Sequence, residues 1–439
     1  MDSEARARKI VGLLRDAGYT AYFAGGCVRD RLLGLPAQDI DIATDARPQD
    51  VQALFPRTVA VGAHFGVIVV MDGPDAFEVA TFRADGAYID GRHPEGVVFT
   101  TPEGDALRRD FTVNGMFFDP IAEKVIDFVG GQADLQGRIL RAIGDPSERF
   151  REDKLRMLRV VRFAASLGFR IEDATWQALC AMAGEIGVVS AERIRSELVK
   201  IFTGPGRVAG WDLLDASGLM SRVLPEIDDL KGCEQPPEFH PEGDVFVHTR
   251  MMLGLLGESV SPELAFAVLL HDVAKPACAV RDETGRIRFN GHEMVGARMA
   301  EGILRRLKFS NHSIAAVTEM VRHHMAFKDT PHMRPAKLRR FLARETFTEE
   351  LELHRVDCLS SHGGLDIHDF LKARQSEFAN EPIIPPRLIT GKDLIAMGWK
   401  PGPRFRKALE EIQTRQLEGS LRSRDEAIAF LEGEFSESS

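Results

Sequence analysis

The stretch "GGCVRDRLLGLPAQDIDIAT", residues 25–44, places two carboxylates, Asp39 and Asp41, two residues apart just beyond a Gly-Gly turn. In an extended strand, side chains two apart share a face, so these carboxylates project together. Like charges held close raise a carboxyl pKa unless a cation sits between them. Hard oxygen ligands at this spacing suit Mg²⁺, which keeps several waters and binds phosphates beside one or two carboxylates. Taken alone, "DID" reads equally simply as the solvated face of an edge strand. The glycines shift that balance: a strand, the Gly25-Gly26 turn and a helix start leave backbone N–H groups for phosphate, with Arg29 one turn on. Glu78, in the later segment "AFEVATFR", is either a third carboxylate or an outward residue of an edge strand.

A second group with the right chemistry is histidine-rich: His248, His271, His292, His323 and His324, with Asp272 and Asp357. A lone helical histidine is usually a core or surface residue. The adjacent His271-Asp272 in the apolar run "AFAVLLHDVAKP" is different, because burying imidazole and carboxylate without a partner costs on the order of several kcal/mol. Neutral imidazole plus carboxylate suits a divalent transition metal or Mg²⁺.

The third group is "EDKLRMLR", residues 152–159. At about 100° per residue, Glu152, Asp153, Arg156 and Arg159 fall on one helical face. That pattern describes either an amphipathic helix with i,i+3 ion pairs or a base-reading surface. Asp153 offers only acceptors and Arg156 only donors. Cytosine and adenine each present an amine donor beside a ring-nitrogen acceptor, whereas uracil and guanine present the reverse order. One Asp/Arg pair can therefore admit C and A and refuse U and G.

These residues need elements to hold them. The first part reads as helix 4–17, strand "TAYFAGG", helix "CVRDRLLG", strand "DIDIAT", then the β-rich segments 65–71, 76–83 and 97–101. This is an α+β domain, residues 1–144. From Pro146 the period turns helical, with "RFREDKLRMLRVVRFAASLGF" as one helix stopped at Gly168 and "SAERIRSELVKIF" starting at a capping-box-like Ser190. The expected divisions are a helical neck (145–210), an all-helical histidine-rich domain (211–380), and a tail (381–439) after the linker "EPIIPPR". At 439 residues, 44% hydrophobic and 28% charged, the chain is a folded soluble protein of several domains. No apolar run is long enough for a membrane span, and the charged N-terminus argues against a secretory signal. Five cysteines without CxxC pairing fit buried thiols in a reducing cytoplasm. The net charge of −10 excludes a uniformly basic coat but not a local basic strip. Residues 138–162 form such a strip, with eight basic and four acidic residues.

The motifs GGxVRDxLLG and DIDIAT, followed by "LRRDFTVNGM" (107–116), "REDKLRMLRVVRFAASLGF" (151–169) and "SAERIRSELVK" (190–200), together resemble the class II tRNA nucleotidyltransferases, which comprise CCA-adding enzymes and bacterial poly(A) polymerases. In the second half "HPEGDVFVHT", "LLHDVAKP" and "FNGHEMVGA" resemble the HD domain that many CCA-adding enzymes carry. The resemblance implies a polymerase-beta-like mixed sheet, with Asp39 and Asp41 holding Mg²⁺, Glu78 beside them, and ATP and CTP as substrates on a tRNA primer. It gives the phosphates to Gly25, Gly26 and Arg29, the nucleotide sugar to Arg109, Asp110 and Asn114, and the base to Asp153 and Arg156, with Arg159 nearby. It makes His248, His271, Asp272 and Asp357 core ligands of a metal-dependent phosphohydrolase acting on RNA 3′-phosphates or 2′,3′-cyclic phosphates. His292 and His324, the latter preferred over His323, then serve phosphate or a second metal, and Lys275 faces the substrate phosphate. Lys400, Arg404, Arg406 and Lys407 would meet RNA in the tail, although a solvated helix start reads the same.

The segment 83–98 resembles the flexible loop that complete CCA addition uses, and "VGAHFGVIVV" lacks the basic signature of a poly(A) polymerase. The expected function is thus C, C and A addition with an HD hydrolase. The alternatives are a poly(A), CC- or A-adding enzyme of the same family, or an HD hydrolase that uses its first half only to bind RNA.

Overall fold

The computed structural model describes residues 2–36, 39–60, 66–85, 97–236, 243–378 and 382–435. The chain divides into two compact units: residues 1–228 with 306–308, and residues 229–305 with 309–439.

The first unit begins with the helix Ser3–Asp16, capped by Asp2 and burying Ala7, Ile10, Val11 and Leu14. Its strands are β1 (Ala21–Ala24), β2 (Asp41–Thr44), β3 (Thr58–Val59), β4 (Val67–Asp72), β5 (Asp75–Thr81), β6 (Arg83–Asp85), β7 (Val97–Phe99), β8 (Phe117–Asp119), β9 (Lys124–Ile126) and the short parallel pair β10 (Ile139–Leu140) and β11 (Arg170–Ile171). Seven of them form one mixed sheet in the order β3-β4-β5-β2-β1-β8-β9, while β6 and β7 pair apart from it. β2 lies parallel to β5, with Ile42 opposite Val79, and antiparallel to β1, with Asp41 opposite Ala24. On β5 the pleat sends Phe77, Val79 and Thr81 inward and leaves Glu78 exposed. The core beneath the sheet holds Ala24, Ala43, Phe82, Ala106 and Phe117.

Two differences from the sequence reading matter. Asp39 precedes β2 and is exposed, so the strand starts at Asp41 and only Asp41 shares its ladder. The expected single helix through residues 149–169 is two helices, Pro146–Glu152 and Arg156–Leu167. Asp153 breaks it: its backbone is extended at φ −146°, ψ 103°, and its carboxylate accepts from the Leu155 N–H at 3.1 Å, a local bond that competes with the helix. Glu152, Asp153, Arg156 and Arg159 therefore do not lie on one continuous helical face. Ser190 does begin the helix Ala191–Thr203, but its side chain makes no capping bond.

Among its described residues the second unit is helical apart from an isolated bridge between Glu234 and Asp244 and a short antiparallel pair, Val280–Arg281 with Ile287–Arg288, where the sequence read as all helix. Its helices include Val245–Leu255, Pro262–Leu270, His292–Arg306, Asn311–His323 and Phe347–Ser360. The helix Pro262–Leu270 buries every residue from Leu264 to Leu270, which explains its lack of polar periodicity. Phe327, Phe341, Phe347 and Leu371 belong to one apolar cluster. The last segment builds its own cluster from Ile389, Leu394, Ala408, Ile412, Ala427 and Leu431. No helix among the described residues is long and apolar enough to cross a membrane. The cysteines are free, and Cys180 is exposed rather than buried.

Candidate functional site

A cleft of about 470 Å³ in the first unit gathers Gly25, Gly26, Arg29, Asp41, Arg109, Asp110, Asn114, Asp153, Arg156 and Arg159. The sheet supplies one wall. The Gly25 turn follows β1, and its φ of +76° suits glycine. A Cβ there would stand 3.1 Å from Arg109 Nη1, so the turn needs glycine for space as well.

Asp41 opens to solvent but is ringed by protein. Desolvation first, then the Glu78 carboxylate, pushes its carboxyl up to about 6, against the pull of Arg109. Such a carboxylate, with two further acids beside it, has the donor chemistry for a hard divalent cation. Asp39, Asp41 and Glu78 are not drawn into a tight cage. The two groups of three ligating side chains whose donor atoms lie within 4.8 Å of one another, among the described residues, are both in the second unit.

The rest of the cleft is a charge lattice that spacing alone mispaired. Arg109 and Asp110 are adjacent, yet each takes another partner. Arg109 Nη2 meets Asp105 at 2.8 Å, and Arg108 Nη2 meets the same buried carboxylate at 2.7 Å. Arg159 Nε donates to Asp110 Oδ2 at 2.8 Å, Asn114 Nδ2 to Asp110 Oδ1 at 3.2 Å, and Arg29 Nη1 to Asn114 Oδ1 at 2.7 Å. Burial alone would raise the Asp110 carboxyl, but the Arg159 charge and these donors hold it below its ordinary value. Arg156 is tied to Glu152 and donates to the carbonyls of Arg149 at 3.0 Å and Arg108 at 3.2 Å. Asp153 pairs with Arg193 at 2.6 Å, not with Arg156. Sequence reasoning missed Asp105, Arg108 and Arg193. The doublet Arg108-Arg109 was a visible signal, and its shared partner Asp105 stands only three and four residues earlier, in the helix Pro102–Leu107.

In the second unit, Nε2 of His271 lies 3.0 Å from Asp272 Oδ2, and Nε2 of His292 3.3 Å from Asp272 Oδ1. His248 Nε2 lies 3.2 Å from Asp357 Oδ1. The ligating atoms form two threes, His248–His271–Asp357 and Asp272–His292–His324. His324 enters the cluster, while His323 turns away to Glu319. Nδ1 of His271, His292 and His324 meets the carbonyls of Val268, Phe289 and Val321 at 2.9, 2.7 and 2.6 Å. A carbonyl only accepts, so Nδ1 carries the hydrogen and the Nε2 lone pairs face inward. His292 Nε2 and His324 Nε2 stand 3.1 Å apart, a spacing that needs a shared cation, either a proton or a metal. Burial, then the neighbouring His271, pushes His324 down to about 3, so its imidazole is neutral. Among the described residues, the buried atoms His271 Nε2 and Asp272 Oδ1 make no hydrogen bond, although His271 Nε2 lies close to Asp272 Oδ2 and Asp272 Oδ1 close to His292 Nε2. This donor set fits a divalent transition metal or Mg²⁺. Lys275 Nζ sits 2.6 Å from Asp272 Oδ2.

In the tail, Lys400, Arg404, Arg406 and Lys407 are exposed around the start of the helix Pro403–Leu417, and Arg404 bonds the Phe435 carbonyl. Most of the 83–98 loop, and the start of "VGAHFGVIVV", lie outside the described residues.

Residues 21–141 match the "Poly A polymerase head domain" family, residues 168–231 the "Probable RNA and SrmB- binding site of polymerase A", and residues 294–431 the tRNA nucleotidyltransferase domain 2. The model matching the second half, over residues 294–431, thus describes a tRNA nucleotidyltransferase domain. The chain is 45% identical over 211 residues to the CCA-adding enzyme of Geobacillus stearothermophilus, covering 48% of this chain and 52% of that one. The match thus spans about half the length of that relative. It is 31% identical over 425 residues to the CCA-adding enzyme of Levilactobacillus brevis, covering 96% of both. Among solved structures, the Bacillus stearothermophilus CCA-adding enzyme in complex with CTP superposes with a TM-score of 0.73 at 27% identity over 99% of each chain. The Thermotoga maritima CCA-adding enzyme complexed with tRNA shares the fold, with a TM-score of 0.59 at 20% identity.

Proposed function

The chain belongs to the family of CCA-adding enzymes, and from that premise we propose that it adds C, C and A to the 3′ end of tRNA, without a template, from CTP and ATP. The observation that carries this reading is one cleft whose lining holds Asp41 together with Asp153 and Arg156.

Each group has a task. Asp41, with Asp39 and Glu78, would hold Mg²⁺, which when bound lowers the pKa of the primer 3′-hydroxyl and neutralises the triphosphate. The Gly25-Gly26 turn and Arg29 take phosphate oxygens. Asp110, held ionised by Arg159, can accept from a ribose 2′-hydroxyl and so favours ribonucleotides. Asp153 accepts from the exocyclic amine of C or A, and Arg156 donates to the neighbouring ring nitrogen. U and G would set a carbonyl against the Asp153 carboxylate, and a site built to hydrogen-bond one pattern rejects the reverse strongly. The local basic strip at 138–162 favours an RNA partner, as do the exposed tail cations Lys400, Arg404, Arg406 and Lys407. Such an enzyme works in the cytoplasm.

The test uses three RNAs with Mg²⁺ and CTP, ATP or both: tRNA lacking CCA, tRNA ending in CC, and an unstructured RNA. Three additions in the order C, C, A on tRNA alone support the reading. A long A tail on unstructured RNA transfers the protein to the poly(A) branch, and arrest at CC makes it a partial enzyme.

A second reading rests on the buried Nε2 lone pairs gathered around Asp272 and Asp357. We infer a metal-dependent phosphohydrolase there. His248, His271, Asp272 and Asp357 would hold the metal, which supplies Lewis-acid activation of water and phosphate. His292, His324 and Lys275 would face the phosphate. Its substrates are RNA ends bearing 3′-phosphate or 2′,3′-cyclic phosphate, whose removal restores the hydroxyl that addition needs. Incubating such RNAs with Ni²⁺, Mn²⁺ or Mg²⁺ tests it, and ends left intact with every metal refute it. Activity of this kind that survives Asp39→Ala and Asp41→Ala, with no nucleotide addition by the wild type, would leave the first half as an RNA-binding platform.

A further inference from the structure

We propose that Arg193 is a positioning residue that sets base choice by fixing the acceptor half of the Asp153/Arg156 pair; this rests on reading the cleft as the nucleotide site. The two halves are held in different ways. Arg156 is anchored by neighbours in its own segment, Glu152 and the Arg149 carbonyl, and by the Arg108 carbonyl. Asp153 stands on a non-helical backbone between two helices, and within that turn its side chain accepts from the Leu155 N–H at 3.1 Å. Its carboxylate is oriented from outside, by a two-pronged pair with Arg193, Nη1 to Oδ1 at 3.1 Å and Nη2 to Oδ2 at 2.6 Å. A guanidinium fork fixes the plane of a carboxylate, which a single bond does not.

Arg193 is itself held in register. One turn along its helix, buried Glu197 takes Arg162 Nε at 2.6 Å, locking the helix Ala191–Thr203 to the helix Arg156–Leu167. The position of Asp153 is thereby tied to the same helix that presents Arg156. Each carboxylate oxygen offers about two lone-pair directions, so the fork leaves an acceptor for the base amine. Without the fork, the Asp153 side chain can rotate, and a carbonyl from U or G no longer meets a fixed negative charge.

The experiment measures CTP and UTP binding by calorimetry, and CMP and UMP addition to tRNA lacking CCA, for wild type, Arg193→Ala and Arg193→Lys. The expected result is a fall in the CTP-to-UTP preference of about tenfold or more in Arg193→Ala, seen in KM and in binding as well as in kcat. Arg193→Lys should recover part of the preference, since a point charge attracts the carboxylate without fixing its plane. Should Arg193→Ala fail to fold, the Lys variant decides alone, through a preference lowered but not lost. An unchanged preference in either folded variant, with only kcat reduced, overturns the proposal. A wild type that binds CTP and UTP equally overturns the reading of the cleft, and this inference with it.

Discussion

The cleft of the first unit and the cluster of the second both concentrate charge, but they do so by opposite means. In the cleft, long arginine side chains reach between segments, and most carboxylates are matched by guanidinium groups, as Asp110 is by Arg159 and Asp153 by Arg193. Such a lattice suits the reading of hydrogen-bonding patterns, because its donors and acceptors are fixed in direction by their partners. In the cluster, short imidazoles are pinned by backbone carbonyls, and the remaining lone pairs converge inward. That arrangement suits the holding of a cation. One region is organised from side chain to side chain, the other from backbone to side chain.

The largest expected effects separate the two. Asp41→Ala should lower nucleotide addition by about a thousandfold or more while leaving metal uptake by the second unit unchanged. Single-turnover addition and metal analysis check this, and equal loss of both would show that the regions are not independent. His271→Ala should weaken binding of Ni²⁺ or Mn²⁺ by about a hundredfold and leave C addition intact, as titration calorimetry can read. Retained affinity would mean that the imidazoles are a structural core instead.

A smaller effect tests the lattice. Arg159→Ala leaves Asp110 buried without its cation, and should cost about 2 to 3 kcal/mol at pH 7, at or below the low end for a buried pair because the Arg159 side chain is 32% exposed. The sign of the pH dependence follows from Asp110. Its carboxyl is lowered in the folded state, so the pair's contribution is full above the unfolded value near pH 4 and fades as pH falls through the folded one. Urea unfolding at pH 7 and pH 3 should show the difference between variant and wild type shrinking at the lower pH. A difference that grows on acidification would contradict this pairing.

Much of this was legible in the sequence because it is local. The Gly-Gly turn, the alternation of β5 and the histidine-aspartate doublet carry their signal within a few residues. The break at Asp153 was not legible: "REDKLR" contains no glycine or proline, and its residues tolerate helix, so the carboxylate's bond to the Leu155 N–H decides locally. Partner choice was also hidden. Arg109 and Asp110 are neighbours in sequence, yet Arg109 turns back to Asp105 four residues earlier, and Asp110 takes Arg159, 49 residues on, through the packing of distant segments. The order of the strands likewise depends on a long crossover that no local pattern specifies.

That crossover has a consequence in time. β2 and β5 are parallel, so the chain between them must travel out and back before Ile42 can lie beside Val79. Asp41 therefore meets Glu78 only after more than thirty residues have been made and folded back beside it. Non-local parallel pairing of this kind forms slowly compared with local contacts, because the entropy of closing the loop is lost before the pairing rewards it. During synthesis the carboxylate site is thus absent from the emerging chain until β5 has left the ribosome, and a nascent protein cannot begin its chemistry early.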